Sequence, residues 1–244
     1  MTVATPPVDT ARYARDGYLV CRGVIAPPLL PDLRREADRL RDLAERDPAA
    51  YEPRIEWESV NVPDDDRDRM AGAIRKLEPV IDLSPVFAAL ATSEAVTAPA
   101  TAILGGPVVL FEDKLNLKPP GGSTYPWHQD WSCCWRAHTD RLVTCFVHLD
   151  EADAGNGCLE VVPGSHAGKP LLPFRDGSRF EVDPAHIDAA AIVPVPLAAG
   201  DMIVFDPYLL HYSDRNRTRE ARRTIIYTYN PAELEDINAE RFPA

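Results

Sequence analysis

Apolar residues recur with a helical period in the first hundred residues of the chain. Between residues 31 and 46 they repeat every three or four positions, which predicts an amphipathic helix with one buried face. An Asp or a Ser stands at the start of three shorter helical segments, where its side chain can cap the first turn. The elements predicted before residue 105 are helix 9–16, strand 18–20, helix 31–46, strand 54–62, a solvated loop at 64–69, helix 84–91 and helix 93–104.

After residue 106 the chain changes to short segments rich in β-branched and aromatic residues, which are typical of strands. Turn residues separate these segments, and the Asn156–Gly157 pair is a strong turn signal. The stretch 163–191 is long and irregular by comparison. The predicted strands are 108–118, 142–149, 158–162, 192–195, 201–205, 211–213 and 222–229.

The first of these strands has two different faces. Glu112, Lys114, Asn116 and Lys118 alternate with apolar residues such as Leu115, so the polar side chains share one face. This pattern fits a strand with one face in water. It fits equally well a strand whose polar face lines the interior of a barrel, and the pattern by itself does not distinguish the two.

Helices followed by many short strands indicate one α+β domain, mainly β, over residues 1–244. We predict that its core is a double-stranded β-helix, a cupin-like jelly-roll barrel, from about residue 108 to 229. The helical part, from about residue 9 to 104, is expected to pack on this barrel. Small barrels of this kind can hold one ligand inside.

The composition limits the choice of partners. The 244 residues carry a net charge of −12, so neither nucleic acid nor an anionic membrane surface is an expected partner. We recognise no signal segment and no apolar run of membrane length. The five cysteines are odd in number and lack C-x-x-C spacing, which predicts reduced thiols in a cytoplasmic protein. A monomer or homodimer that acts on a small molecule is expected.

The segment WHQDW at 127–131 places an imidazole and a carboxylate two residues apart. Residues i and i+2 of an extended strand point to the same face, so His128 and Asp130 can reach one metal ion. The best candidate for a third ligand is His211, which follows the largely apolar run 201–205. Two histidines and one carboxylate on one face of an octahedron leave three positions open, and they are the ligand set of non-haem Fe(II) oxygenases.

A lone His-x-Asp is a weak signal, and other residues strengthen it. Arg222 lies in a predicted strand after His211, where its guanidinium could hold a dicarboxylic acid bidentately by the far carboxylate. His166 competes with His211 for the third ligand position. His148 is either a satisfied core histidine or a pocket residue. Trp135 lies past a predicted bend and is the aromatic side chain expected to face a substrate.

Several motifs follow one another in order along the chain. They are RYARDGYLVCRGVI at 12–25, KPPGG at 118–122, WHQD at 127–130, LDEADAGNGCLEVVPGSH at 149–166, GDMIVFD at 200–206 and HYSDRNRTREARR at 211–223. In this ordered combination the chain resembles the phytanoyl-CoA dioxygenase family, whose members use Fe(II) and 2-oxoglutarate. The resemblance covers nearly the whole chain, and the combination is far more specific than any single motif.

The resemblance implies roles for individual residues. His128, Asp130 and His211 correspond to the iron ligands, and Arg222 corresponds to the arginine that binds 2-oxoglutarate. His166 corresponds to a structural or pocket-edge residue. The remaining cosubstrate-binding candidates are Ser213, Lys114, Asn116 and Thr144, and the substrate-binding candidates are Glu112, Trp135 and His148.

The activity that the resemblance implies is oxidation, most often hydroxylation, of an unactivated C–H bond in a small molecule, in a setting such as secondary metabolism. Dioxygen is consumed, and 2-oxoglutarate becomes succinate and carbon dioxide. The same chemistry also supports desaturation, ring closure or epimerisation. One rival class is a cupin-like metal-binding or sugar-modifying protein without dioxygen chemistry. Another is a 2-oxoglutarate-independent iron oxygenase or a zinc hydrolase, which would leave Arg222 without a carboxylate partner.

Overall fold

The computed structural model describes residues 8–62, 64–132 and 139–234, without the side chains of residues 64 and 65. The helices in this part are α1 (Thr10–Asp16), α2 (Leu30–Arg46), α3 (Pro48–Tyr51), α4 (Asp64–Arg67), α5 (Pro85–Ala91) and α6 (Glu94–Leu104). The strands are β1 (Tyr18–Cys21), β2 (Ile55–Trp57), β3 (Ile74–Leu77), β4 (Val108–Asn116), β5 (Tyr125–His128), β6 (Val143–His148), β7 (Leu159–Val161), β8 (Val193–Val195), β9 (Met202–Phe205), β10 (His211–Ser213) and β11 (Thr224–Pro231).

The strands form two sheets with antiparallel pairing throughout. The larger sheet has the order β1-β9-β6-β11-β4-β3-β2, and the smaller sheet has the order β5-β10-β7-β8. From β5 to β11 the chain passes repeatedly from one sheet to the other, which is the winding of a jelly roll. The predicted double-stranded β-helix is therefore confirmed.

Local predictions differ from the structure at several places. Of the strand predicted at 54–62 only Ile55–Trp57 is a strand, and the strand predicted at 222–229 begins at Thr224. Strand β3 was not predicted, because its sequence IRKL is short and carries two charges. Strand β3 is held in place by pairing with β2 on one side and with β4 on the other, where Lys76 lies opposite Asn116. The segment 64–69, predicted to be a loop, contains the one-turn helix α4.

The larger sheet is apolar on the face that the helices cover. Leu115, Val147 and Ile225 are register neighbours on this face, and they belong to the main core together with buried residues of α2, α5 and α6. The hydroxyl of Tyr227 donates to the Phe87 carbonyl at 2.8 Å and joins β11 to α5. Because successive side chains of a strand alternate, the polar face of β4 points between the two sheets. The barrel interpretation of the alternating strand is therefore the correct one.

The stretch Pro85–Leu104 has the length and hydropathy of a membrane span, contrary to the expectation from the sequence. In the structure it is two helices, α5 and α6, interrupted at Thr92 and Ser93. Phe87 and Ala91 of α5 and Val96 and Ala100 of α6 are buried in the main core. Length and hydropathy alone are weak evidence for a span, because core helices meet the same test.

Asp113 on β4 is a buried carboxylate that accepts backbone N–H bonds from Val80 at 2.6 Å and Ile81 at 3.0 Å. Burial raises the pKa of Asp113 to about 6, although the two hydrogen bonds oppose the shift. This pKa is above that of Asp113 in the unfolded chain, so protonation of Asp113 stabilises the fold. The stabilisation is complete below the unfolded pKa and is lost as the pH rises through about 6. We expect Asp113→Asn to unfold like the wild type near pH 4 and to be more stable at pH 7, by up to about 3 kcal/mol.

Urea unfolding of the wild type and Asp113→Asn between pH 4 and pH 7.5 measures this difference. Asp176→Asn, at an exposed position, is the matched control, and its difference from the wild type should not change with pH in the same way. A free-energy difference for Asp113→Asn that stays constant over this range would contradict a raised pKa.

Candidate active site

Three candidate metal ligands meet where β5 and β10 pair. His128 ends β5, His211 begins β10, and the two residues lie directly opposite each other in the register. Asp130 follows two residues after His128, and its Oδ1 lies 3.5 Å from His128 Nε2 and 3.9 Å from His211 Nε2. One ligand atom from each residue lies within 4.8 Å of the others, and all three residues are buried. The structure thus brings together the cluster that the sequence predicted.

Backbone carbonyls orient both imidazoles. His128 Nδ1 lies 2.7 Å from the Pro126 carbonyl oxygen, and His211 Nδ1 lies 2.9 Å from the Leu209 carbonyl oxygen. A carbonyl oxygen can only accept, so we assign the proton to Nδ1 in both rings, which leaves the Nε2 lone pairs free in the neutral form. Burial, with the charge of His128, lowers the pKa of His211 to about 4. A neutral imidazole is the form that binds a metal.

Asp130 completes a donor set suited to a divalent ion. Burial alone would raise the pKa of the Asp130 carboxyl, but its contacts with His128 and His211 and the charge of Lys114 outweigh burial and hold the pKa below its ordinary value. The group is therefore a carboxylate at neutral pH. Two imidazole nitrogens and one carboxylate oxygen in a buried cluster fit Fe(II).

Gln129 lies between His128 and Asp130 and explains why their side chains point in the same direction. Its buried side chain donates to the Pro170 carbonyl at 2.9 Å and to the Tyr208 carbonyl at 2.8 Å, and it accepts from Leu172 N–H at 3.0 Å. These bonds hold Gln129 on the side away from the cavity. Because side chains alternate along an extended segment, His128 and Asp130 both face the cavity.

The register of β6, β11 and β4 arranges their inward side chains in three rows. The first row is His148, Thr224 and Asn116, the second is Phe146, Ile226 and Lys114, and the third is Thr144, Thr228 and Glu112. Thr144 Oγ1 lies 3.2 Å from Thr228 Oγ1, and Lys114 Nζ lies 2.5 Å from Glu112 Oε1. The alternating polar residues of the sequence are thus the lining of the barrel.

The first row has buried polar atoms without protein partners. Asn116 Oδ1, Thr224 Oγ1 and both ring nitrogens of His148 have no hydrogen-bond partner in the part of the chain that the structure describes. Burial, reinforced by the charge of Arg222, lowers the pKa of His148 to about 3, so its ring is neutral. Buried polar groups normally have partners, so this row fits a polar ligand.

Arg222 lies at the same end of the cavity and is only 4% exposed. Its Nη1 donates to the Gly157 carbonyl, which also accepts from Ser213 Oγ at 2.7 Å. Its Nε is buried without a partner, and among the described residues Arg222 forms no ion pair. Burial lowers the pKa of Arg222 to about 10, so the guanidinium stays charged at neutral pH. A buried cation with unused N–H capacity fits a carboxylate ligand.

A cavity of ≈ 120 Å³ lies between the candidate metal ligands and Arg222, and the predicted site residues Glu112, Thr144 and His148 are not among the described residues that border it. It is bordered by the three metal-ligand candidates and by the predicted pocket residues Lys114, Asn116, Ser213 and Arg222. A larger open groove of ≈ 600 Å³ lies elsewhere on the surface, beside Arg69, Arg215 and Arg217. That groove contains none of the three candidate ligands, so the smaller cavity is the candidate active site.

Seven of the described residues at the cavity were missed by the sequence analysis, among them the apolar Phe146, Leu159 and Ile226. Phe180 stacks on the His128 ring with 4.2 Å between centroids, and Tyr125 borders the cavity from β5. Glu56 and Lys76 reach it from β2 and β3. A prediction of β3 would have pointed to Lys76, because that strand pairs with the polar strand β4. No local pattern marks Phe180, which lies in the irregular stretch.

The remaining predicted residues have distinct positions. His166 packs against Gly17 at the end of α1, and its Nε2 lies 3.2 Å from the Ala14 carbonyl oxygen, away from the metal ligands. His148, predicted to bind substrate, lies in the row nearest Arg222. Trp135, the predicted substrate-facing aromatic residue, lies outside the described residues.

The chain is similar to known proteins in both sequence and structure. The phytanoyl-CoA dioxygenase family matches residues 13–224. L-proline trans-4-hydroxylase of Streptomyces griseoviridis is 30% identical over 256 residues, which cover 94% of this chain and 88% of that protein. EctD from S. alaskensis, crystallised with 2-oxoglutarate and 5-hydroxyectoine, superposes with a TM-score of 0.71 at 25% identity, covering 96% of this chain and 79% of that one.

A third similar structure is the epimerase SnoN from nogalamycin biosynthesis, described as non-heme and alpha ketoglutarate dependent. It has a TM-score of 0.68 at 26% identity and covers 91% of this chain and 82% of its own. The family match spans most of the sequence, and it includes the three candidate metal ligands and Arg222. The chain therefore belongs to the phytanoyl-CoA dioxygenase family.

Proposed function

We propose that this protein is an Fe(II)- and 2-oxoglutarate-dependent dioxygenase that hydroxylates an unactivated C–H bond of a small molecule, with secondary metabolism as its setting. One observation carries the proposal: a single cavity contains a two-histidine, one-carboxylate cluster and a buried arginine that lacks an ion pair among the described residues. Relatives named as a hydroxylase and as an alpha ketoglutarate-dependent epimerase support the same class.

His128, Asp130 and His211 are the proposed iron ligands, through the two Nε2 atoms and the carboxylate. Iron bound there with 2-oxoglutarate and dioxygen supplies the oxidation of the C–H bond, while 2-oxoglutarate becomes succinate and carbon dioxide. The protein's own contribution is to place the reactants and to exclude water. The Phe180 ring stacks on His128 and borders the cavity.

Arg222 is proposed to bind the far carboxylate of 2-oxoglutarate, with the Ser213 hydroxyl beside it. The unpartnered first-row atoms of Asn116 and Thr224 support the same location for the cosubstrate. His148 was predicted from the sequence to bind substrate, but its place in this row favours the cosubstrate end. Cosubstrate binding by Lys114 and Thr144, in the second and third rows, stays a prediction.

The substrate is proposed to enter on the side of the third row, where Glu112 lies. Phe146 and Ile226 give the middle of the cavity an apolar wall. Trp135 stays a proposed substrate contact. A small cavity that combines charged and apolar walls fits a small polar molecule better than a macromolecule.

We further propose one domain over the whole chain, a cytoplasmic location and a monomeric or homodimeric state, without a nucleic-acid or membrane partner. The net charge of −12 supports the exclusion of nucleic acid and of an anionic membrane as partners. Cys21, Cys145 and Cys158 are free thiols, which supports a reducing compartment.

Anaerobic titration of the Fe(II)-loaded protein with 2-oxoglutarate tests the proposed class. We expect a visible charge-transfer band that saturates at one equivalent and that does not form with Zn(II). Under air, a candidate substrate should then accelerate the release of succinate. An iron-loaded protein that binds no 2-oxoglutarate would contradict the proposal and would favour one of the rival classes.

A further inference from the structure

A second buried cation lies beside the proposed 2-oxoglutarate site. Lys118 lies two residues beyond the end of β4 and is only 1% exposed. Its Nζ donates to Ser213 Oγ at 2.5 Å and to the Asp214 carbonyl. Within the described residues it forms no ion pair with a carboxylate. Burial of an unpaired ammonium is costly, so a lysine at this position requires a reason.

Lys118 and Arg222 are held around the same turn. Arg222 Nη1 and Ser213 Oγ both donate to the Gly157 carbonyl, and Arg222 N–H donates to the Lys118 carbonyl at 3.1 Å. A Cβ atom added to Gly157 would lie 2.0 Å from the Asp214 carbonyl oxygen and 2.9 Å from Lys118 Nζ. Only glycine fits this close approach, which also has a φ of +74°.

The two cations destabilise each other in the absence of an anion. Burial holds the pKa of Lys118 well below its ordinary value, and the charges of Arg222 and Arg75 add to the effect. A ligand that brings negative charge into the adjacent cavity would relieve this cost. A dicarboxylate brings one more negative charge than a monocarboxylate, so the relief depends on the far carboxylate.

We propose that Lys118 is a positioning residue of the cosubstrate site, which orients the Ser213 hydroxyl and adds a positive charge behind Arg222. It thereby makes the cavity selective for a 2-oxo dicarboxylate over a 2-oxo monocarboxylate. Lys118 acts through Ser213 and through its charge, since it does not itself border the cavity. This inference rests on the proposed function.

The test compares the binding of 2-oxoglutarate and pyruvate, which share the 2-oxo acid group, while pyruvate lacks the far carboxylate. Calorimetry on the anaerobic Fe(II) protein gives both dissociation constants. Lys118→Met, which keeps the length and removes the charge, should weaken 2-oxoglutarate binding on the order of 10- to 100-fold. Pyruvate binding and Fe(II) binding should stay within about twofold of the wild type, because neither involves the far carboxylate.

Lys169→Met is the matched control. Lys118 and Lys169 both have a positive φ, of 25° and 52°, but Lys169 is an exposed residue paired with Asp140. This control variant should change neither constant. Equal weakening of both acids in Lys118→Met, or no weakening of either, would overturn the proposal. If Lys118→Met does not fold, Lys118→Gln keeps the test open, because its amide can still donate to Ser213 Oγ while the charge is lost, and it should weaken 2-oxoglutarate alone. Absence of 2-oxoglutarate binding in the wild type would instead refute the proposed function.

Discussion

Replacement of His211 by Ala is expected to abolish turnover and to weaken Fe(II) binding. His211 offers one of three converging donor atoms, and its orientation is set by the Leu209 carbonyl. Loss of a group that only orients a ligand typically lowers metal affinity roughly 10- to 100-fold, so loss of the ligand itself should cost more. His128→Ala and Asp130→Ala should behave in the same way. Anaerobic Fe(II) titration gives the affinity, and succinate release gives the turnover.

His166→Ala is the control for this prediction. His166 also belongs to a motif of the chain, but it packs against Gly17 and α1 and away from the cluster. Its replacement should lower stability and leave Fe(II) affinity unchanged. Full activity in His211→Ala together with loss of metal binding in His166→Ala would show that the third ligand was assigned wrongly.

Arg222→Ala is expected to raise the 2-oxoglutarate requirement by orders of magnitude while Fe(II) binding stays largely intact. Removal of one partner of a buried charge pair typically costs roughly 2–5 kcal/mol. Arg222→Lys should recover little, because an ammonium cannot form the two parallel bonds of a guanidinium fork. The apparent KM for 2-oxoglutarate, measured by succinate release, tests both variants.

Arg223→Ala is the matched control one residue away. Arg223 points out of the cavity and pairs with Asp150 at 2.7 Å and with Asp38 at 2.8 Å. Its replacement should affect stability, through the contact between the start of β11 and α2, and leave the KM for 2-oxoglutarate nearly unchanged. An essential Arg223 beside a dispensable Arg222 would mean that the strand register is shifted by one residue.

The site was predictable in part because strand geometry is local. His128 and Asp130 are two residues apart, and Arg222 and Arg223 are adjacent, so their common or opposite directions follow from the alternation of side chains. The choice of His211 over His166 depended on the arginine that follows His211 in a predicted strand and on the resemblance to a family. In the structure, the direct pairing of His211 with His128 across β10 and β5 brings these two residues together.

By itself the sequence determined the helix and strand pattern, the His-x-Asp pair and the polar face of β4, because these depend on residues close together in the chain. Only the tertiary structure decided that this face lines the barrel, since burial of the opposite face under α2, α5 and α6 settles its direction. The tertiary structure also decided the roles of β3, Phe180 and Lys118 at the site. Each depends on contacts between segments distant in sequence, and no local pattern records such contacts.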